Sequence, residues 1–89
     1  MIQRDIDIQP QSSIQRTPLH LACIRGHTTI ARLLIDNGAD PDCKDFDENT
    51  PLHYASEFGN FECIILLIKE ANSNPYIKNK YGYTPSDIA

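Results

Sequence analysis

Hydrophobic and polar positions alternate along this chain in a helical rhythm that stops and restarts. Thr17 is a good N-cap, and Pro18 suits the first helical position, where its missing N–H costs nothing. A helix is therefore predicted from about Pro18 to Arg25, stopping at Gly26. A second helix follows, roughly Thr29 to Asn37, on which Ile30, Leu33 and Leu34 fall at i, i+3 and i+4 and make one apolar stripe. Gly38 is placed to end it in a left-handed conformation. Asp40-Pro41 and the polar run beyond cannot be helical and read as an extended turn.

The whole pattern then repeats. Thr17-Pro18-Leu19-His20-Leu21-Ala22 recurs 33 residues later as Thr50-Pro51-Leu52-His53-Tyr54-Ala55, and a third copy starts 34 residues after that, at Thr84-Pro85-Ser86-Asp87-Ile88-Ala89. Gly26-His27 aligns with Gly59-Asn60, and Ile30, Leu33, Leu34 and Ile35 align with Cys63, Leu66, Leu67 and Ile68. Asp40-Pro41 aligns with Asn74-Pro75 once one residue is inserted near Asn72. Each unit is a helix–turn–helix followed by a protruding loop. Alone it cannot cover its apolar stripe, whereas stacked on a copy of itself it can.

The period, the T-P-L-H-x-A block, the Gly-His after the first helix and the Gly-Ala-Asp before the loop resemble the ankyrin repeat. The resemblance covers nearly the whole chain and implies an all-α solenoid of stacked helix–turn–helix units with protruding β-turn loops. It divides the chain into a partial repeat or cap at residues 1–16, repeats at 17–49 and 50–83, and the start of a further repeat at 84–89. Two complete units fall short of the roughly three that such arrays need, so a longer array is expected. The family's turn carries a glycine two residues before the Thr. Gly82 supplies it once, but Gln15 and Glu48 stand there in the first two units. A left-handed non-glycine costs about 1–2 kcal/mol. Ala71 replaces a helix-ending glycine, a role Asn72 can take over. Asp87 replaces the histidine and still fits a capping box.

Charge narrows the class of function. The net charge of -4 argues against nucleic acid, which calls for clustered Lys and Arg. Acidity concentrates between Asp36 and Glu48, where six acids face Lys44 alone. Cys23, Cys43 and Cys63 are odd in number and widely spaced, a poor disulfide framework that fits a reducing, intracellular setting, most simply the cytoplasm. No window is long and apolar enough to span a bilayer, and no secretory signal follows Met1.

Candidate chemistry is sparse. His20 and His53 recur with the repeat, and the resemblance implies that their rings bond back to the capping threonines. His27 reads as a turn residue. Paired metal-ligand spacing is absent. Cys63 replaces Ile30 and reads as a small core residue, Cys23 packs between units, and Cys43 lies in a loop where exposure would make it reactive. The loop from Asp40 to Asp45 lacks the glycine and distal Glu of a calcium loop, and reads as a solvated tip that steers a basic partner. No nucleophile elbow or phosphate-cradling loop appears. No enzyme, cofactor or metal is expected.

Proteins of the resembled family bind partners along a concave surface made of loop tips and inner-helix ends. Transferred by position, that surface comprises Ile14 and Arg16, then Ile24 and Arg25, then Phe46, Asp47 and Asn49, then Glu57 and Phe58, and last Lys80, Tyr81 and Tyr83. Aromatic and Arg residues are the usual hot spots of interfaces. The competing expectation is that Phe58 or Tyr83 packs against the next unit. Ile65 stands where Arg32 stands one unit earlier, facing solvent, which points to a neighbouring domain or to an ordinary surface apolar residue. The expected function is a protein-interaction module. The alternative is a regulatory or targeting segment of a larger enzyme or channel.

Overall fold

A computed structural model describes residues 16–88. Helix α1 spans Pro18–Arg25 and α2 Thr28–Asp36. Helix α3 spans Pro51–Glu57, α4 Phe61–Ile65, and a short α5 Pro85–Ile88. Helix α4 runs directly into a wider, π-helical turn over Leu66–Glu70. The described residues contain no strand. The inner helices α1, α3 and α5 stack in that order, and α2 and α4 lie behind them as an outer layer. Loops from the end of each outer helix reach round to the next Thr-Pro.

Each inner helix starts the same way. The Thr17 hydroxyl accepts from the His20 amide, and the Thr17 amide donates to His20 Nδ1 at 3.1 Å, so backbone and side chain cap one another. Thr50 and His53 repeat this arrangement with the same 3.1 Å bond. Thr84 and Asp87 form the third copy, with the Thr84 amide donating to the carboxylate at 2.9 Å, as the sequence leads one to expect. Because Nδ1 accepts from an N–H, the ring proton sits on Nε2. That proton goes to the next loop: His20 Nε2 donates to the Asn49 carbonyl and His53 Nε2 to the Tyr83 carbonyl, each at 2.8 Å. The histidines therefore cap their own helix and tie it to the following loop. Burial pushes the pKa of both below the ordinary histidine value.

The core lies between the layers. Leu19, Cys23, Ala31, Leu52, Ala55, Cys63, Leu66 and Leu67 are buried there. Small residues at Ala22, Cys23 and Ala55 let α1 and α3 approach closely, while each fully buried leucine contributes roughly 1.5–3 kcal/mol. Gly26 ends α1 at φ +72, and a Cβ there would meet the Asn60 side chain at 3.1 Å. That amide donates to the Cys23 and Ile24 carbonyls, which the end of α1 leaves free.

Three expectations are corrected. The second helix begins at Thr28 and ends at Asp36, one residue earlier than its periodicity suggests. The additional residue of the second unit enters within the helix: the Ala71 amide bonds to the Leu66 carbonyl, and Ser73 to Leu67. The helix widens by a residue to absorb it, and Asn72 then turns left-handed at φ +55, taking the glycine's place. The expected stripe on α2 is only partly buried. Leu34 and Ile35 pack on the core beside Ala31, but Ile30 and Leu33 are 49% and 56% exposed. Their counterparts Cys63 and Leu66 are buried because α2 lies against α4 on that side.

Candidate partner-binding site

The loop tips are organised by two buried polar residues. Asp45 is buried, and its Oδ1 accepts from the amides of Asp47 at 3.0 Å and Asn49 at 2.9 Å. Its other oxygen accepts the Tyr54 hydroxyl. Asn79, 34 residues later, repeats the arrangement, with Oδ1 accepting from Tyr81 at 2.9 Å and Tyr83 at 3.0 Å. Its Nδ2 donates to Asn49 Oδ1 at 2.9 Å and so joins the two loops. The expectation of a wholly solvated acidic tip fails at Asp45, whose carboxylate is held inside by three donors. Without them, burying it would cost several kcal/mol.

Tyr54, where Leu21 stands one unit earlier, supplies the third donor. Burial, and then donation to Asp45, raise its pKa above the ordinary tyrosine value. The Arg16 guanidinium lies 5.0 Å from the Tyr54 ring centroid, and Asn49 Nδ2 donates to the Tyr54 hydroxyl at 3.3 Å. Arg16 and Asn49 are thus brought together around a residue that sequence reasoning passed over. The signal for it was a phenol nine residues after an acid.

Phe46, Asp47, Lys80 and Tyr81 meet at the adjacent tips. Lys80 Nζ lies 3.0 Å from Asp47 Oδ1, 4.9 Å from the Phe46 ring centroid and 5.4 Å from that of Tyr81. The Lys80 amide donates to the Asp47 carbonyl at 3.1 Å. Bonding to the Asp47 carboxylate raises the lysine's pKa. Phe46 and Tyr81 remain 57% and 62% exposed.

The other expected residues lie at the ends of the inner helices and beyond. Ile24 is half-buried, and Arg25, Glu57 and Phe58 are exposed. The Tyr83 ring is exposed although its backbone is fixed by His53 and Asn79. Neither Phe58 nor Tyr83 is buried against a neighbour. Ile14 lies outside the described residues.

No group of three or more metal-ligating side chains converges among the described residues. Cys23 and Cys63 are buried, and desolvation raises the Cys23 thiol to about 12. Cys43 is half-buried, 3.4 Å from the Thr17 hydroxyl, and burial raises its pKa as well, so its partial exposure comes with a less reactive thiol. On the outer layer, Arg32 pairs with Glu70 beside Ile65, which is exposed as its position implies. No helix among the described residues is long and apolar enough to cross a membrane.

Stacked, reciprocally capped helix pairs with loops fixed from behind and rings bared in front define a helical repeat scaffold. A family model described as ankyrin repeats (3 copies) matches residues 1–79, and the chain belongs to the ankyrin repeat family. Ankyrin repeats are protein-interaction modules, mainly without catalytic activity. The chain is similar to NF-kappa-B inhibitor alpha of Homo sapiens, with 51% identity over 71% of this chain and 20% of that protein. It is also similar to the potassium channel SKOR of Arabidopsis thaliana, 40% identical over 73% of the chain and 8% of the channel. A third relative is protein phosphatase 1 regulatory subunit 12A of Mus musculus, 38% identical over 82% of the chain and 7% of that subunit. The chain spans a fifth or less of the length of these relatives.

Proposed function

We infer that the chain binds a partner protein through its loop tips and the exposed ends of its inner helices. The observation that carries this reading is the pair of exposed rings, Phe46 and Tyr81, on loops whose backbones are anchored by Asp45 and Asn79. Anchored loops lose little entropy on binding, and exposed aromatics supply contact area. Arg16, Arg25, Glu57, Phe58 and Tyr83 extend the surface. The framework residues Thr17, His20, Thr50 and His53 hold the stack, with repeats at 17–49 and 50–83 flanked by partial units. No catalytic step is assigned to the chain, and its setting is intracellular, in the cytoplasm or the nucleus.

A photo-crosslinking amino acid tests this. Placed at Phe58 or Tyr81, it captures one discrete partner. Placed at Lys69 on the outer layer, it does not. Equal capture from both sides refutes the reading.

A second reading is favoured by the short share of its relatives that the chain spans, and by the bared Ile30 and Leu33. Here the chain is a regulatory or targeting segment of a larger protein, stacked on further repeats. An antibody to residues 16–88 that detects a polypeptide far larger than 10.1 kDa in cells supports it. Detection of the small species alone removes it.

A further inference from the structure

The loop-tip cluster has the composition of a receptor for a cation, and its present occupant is the chain's own lysine. Two rings from adjacent tips, Phe46 and Tyr81, share one ammonium, with the Asp47 carboxylate at 3.0 Å as counter-ion. Faces of aromatic rings attract cations, and a carboxylate beside them adds charge and direction. Lys80 uses this site poorly. Both rings stay more than half exposed, and the lysine and aspartate side chains are themselves 37% and 34% exposed.

The loop backbone that carries the walls does not depend on the lysine side chain. The Asp47 amide is held by Asp45, the Tyr81 amide by Asn79, and the Lys80 amide by the Asp47 carbonyl. Lys80 can swing out while the backbone that carries the rings and the carboxylate keeps its place. An exposed pair of this kind is weak and salt-screened, so displacing it costs an incoming group little. A guanidinium fits the vacated place better than an ammonium, because its flat face stacks on rings and two of its N–H donors together match a carboxylate.

We propose that Phe46, Asp47 and Tyr81 form a receptor for an arginine side chain of the partner protein, and that Lys80 fills it in the free chain. This deepens the partner-binding reading and rests on it.

The test titrates the isotope-labelled chain with the acetylated, amidated peptide Gly-Arg-Gly, followed by NMR. The same peptide with neutral citrulline for arginine is the control. The expected result is saturable movement of the Phe46, Asp47 and Tyr81 signals with arginine and not with citrulline. Lys80→Gln tightens binding roughly threefold or more by emptying the site, and Asp47→Asn weakens it about tenfold. Lys80→Arg, which keeps the framework and improves the internal occupant, weakens peptide binding. Citrulline acting like arginine overturns the proposal, as do an indifferent Asp47→Asn or absent saturable shifts in both wild type and Lys80→Gln. Crosslinked partner at Tyr81 with no preference for arginine removes this proposal and leaves the binding face standing. Absence of both removes the face as well.

Discussion

Glycine at position 48 should make the chain more stable. Glu48 sits at φ +63, while Gly82, at the same point of the next turn, sits at φ +84. A left-handed L-residue costs about 1–2 kcal/mol, and glycine returns about 0.5–1 kcal/mol of that by loosening the unfolded chain. The net gain for Glu48→Gly is therefore about 0.5–1 kcal/mol. For a domain of this size that raises Tm by roughly 2–8 °C, readable by circular dichroism. Charge is the competing cause, because Glu48 closes the acidic stretch that starts at Asp36. Glu48→Ala separates the two, since it removes the charge and keeps the Cβ. Backbone strain requires that glycine exceed alanine clearly. Equal gains from both would refute strain and leave relief of repulsion as the cause. Asn72→Gly, at φ +55, should gain little, because Asn tolerates the left-handed region.

Three further outcomes follow from the same geometry. His20 and His53 have folded pKa values below the unfolded value of about 6.5. The unfolded chain therefore binds protons first: stability is complete above pH 6.5 and falls as pH drops below it toward the depressed folded values. Melts at pH 7.5 and 5.5 should show this, a flat or rising Tm on acidification would contradict it, and His53→Gln should blunt the drop. Tyr54→Phe withdraws a donor from the buried Asp45 carboxylate and should cost about 1–3 kcal/mol in urea unfolding; a loss below 0.3 kcal/mol would mean that the other two donors suffice. A thiol reagent at pH 7.5 should modify Cys43 slowly, and Cys23 and Cys63 only once the chain unfolds, so rapid native labelling of all three would disprove their burial.

Much of the fold is legible because helix signals are local. Thr17-Pro18 and Gly26 mark both ends of α1, and the 33-residue recurrence carries that helix to α3. Where the expectation slips, the deciding interaction is between units. Ile30 and Leu33 look as apolar as Cys63 and Leu66, and periodicity cannot say which pair has a neighbour. The inserted residue reads as a loop feature near Asn72, but a helix end can widen at modest cost, and the structure uses that route. Asp45 reads as one more solvated acid because its donors, two amides and a phenol, become visible only when the loop closes on itself. The candidate site is read from the sequence as a set of positions and not as a cluster. Phe46 and Lys80 are one repeat apart, so their meeting could have been read from the period alone. The placement of Asp47 and Tyr81 around the same ammonium depends on loop geometry.

The most direct test of the binding face uses the partner recovered by crosslinking and measures its Kd for three forms of the chain. The double variant Phe46→Ala/Tyr81→Ala should weaken binding at least tenfold with an unchanged circular dichroism spectrum, while Ile65→Ala on the outer layer should leave Kd within about twofold. If instead Ile65→Ala abolishes binding and the loop-tip variant binds like wild type, the partner sits on the outer helices and the account is wrong.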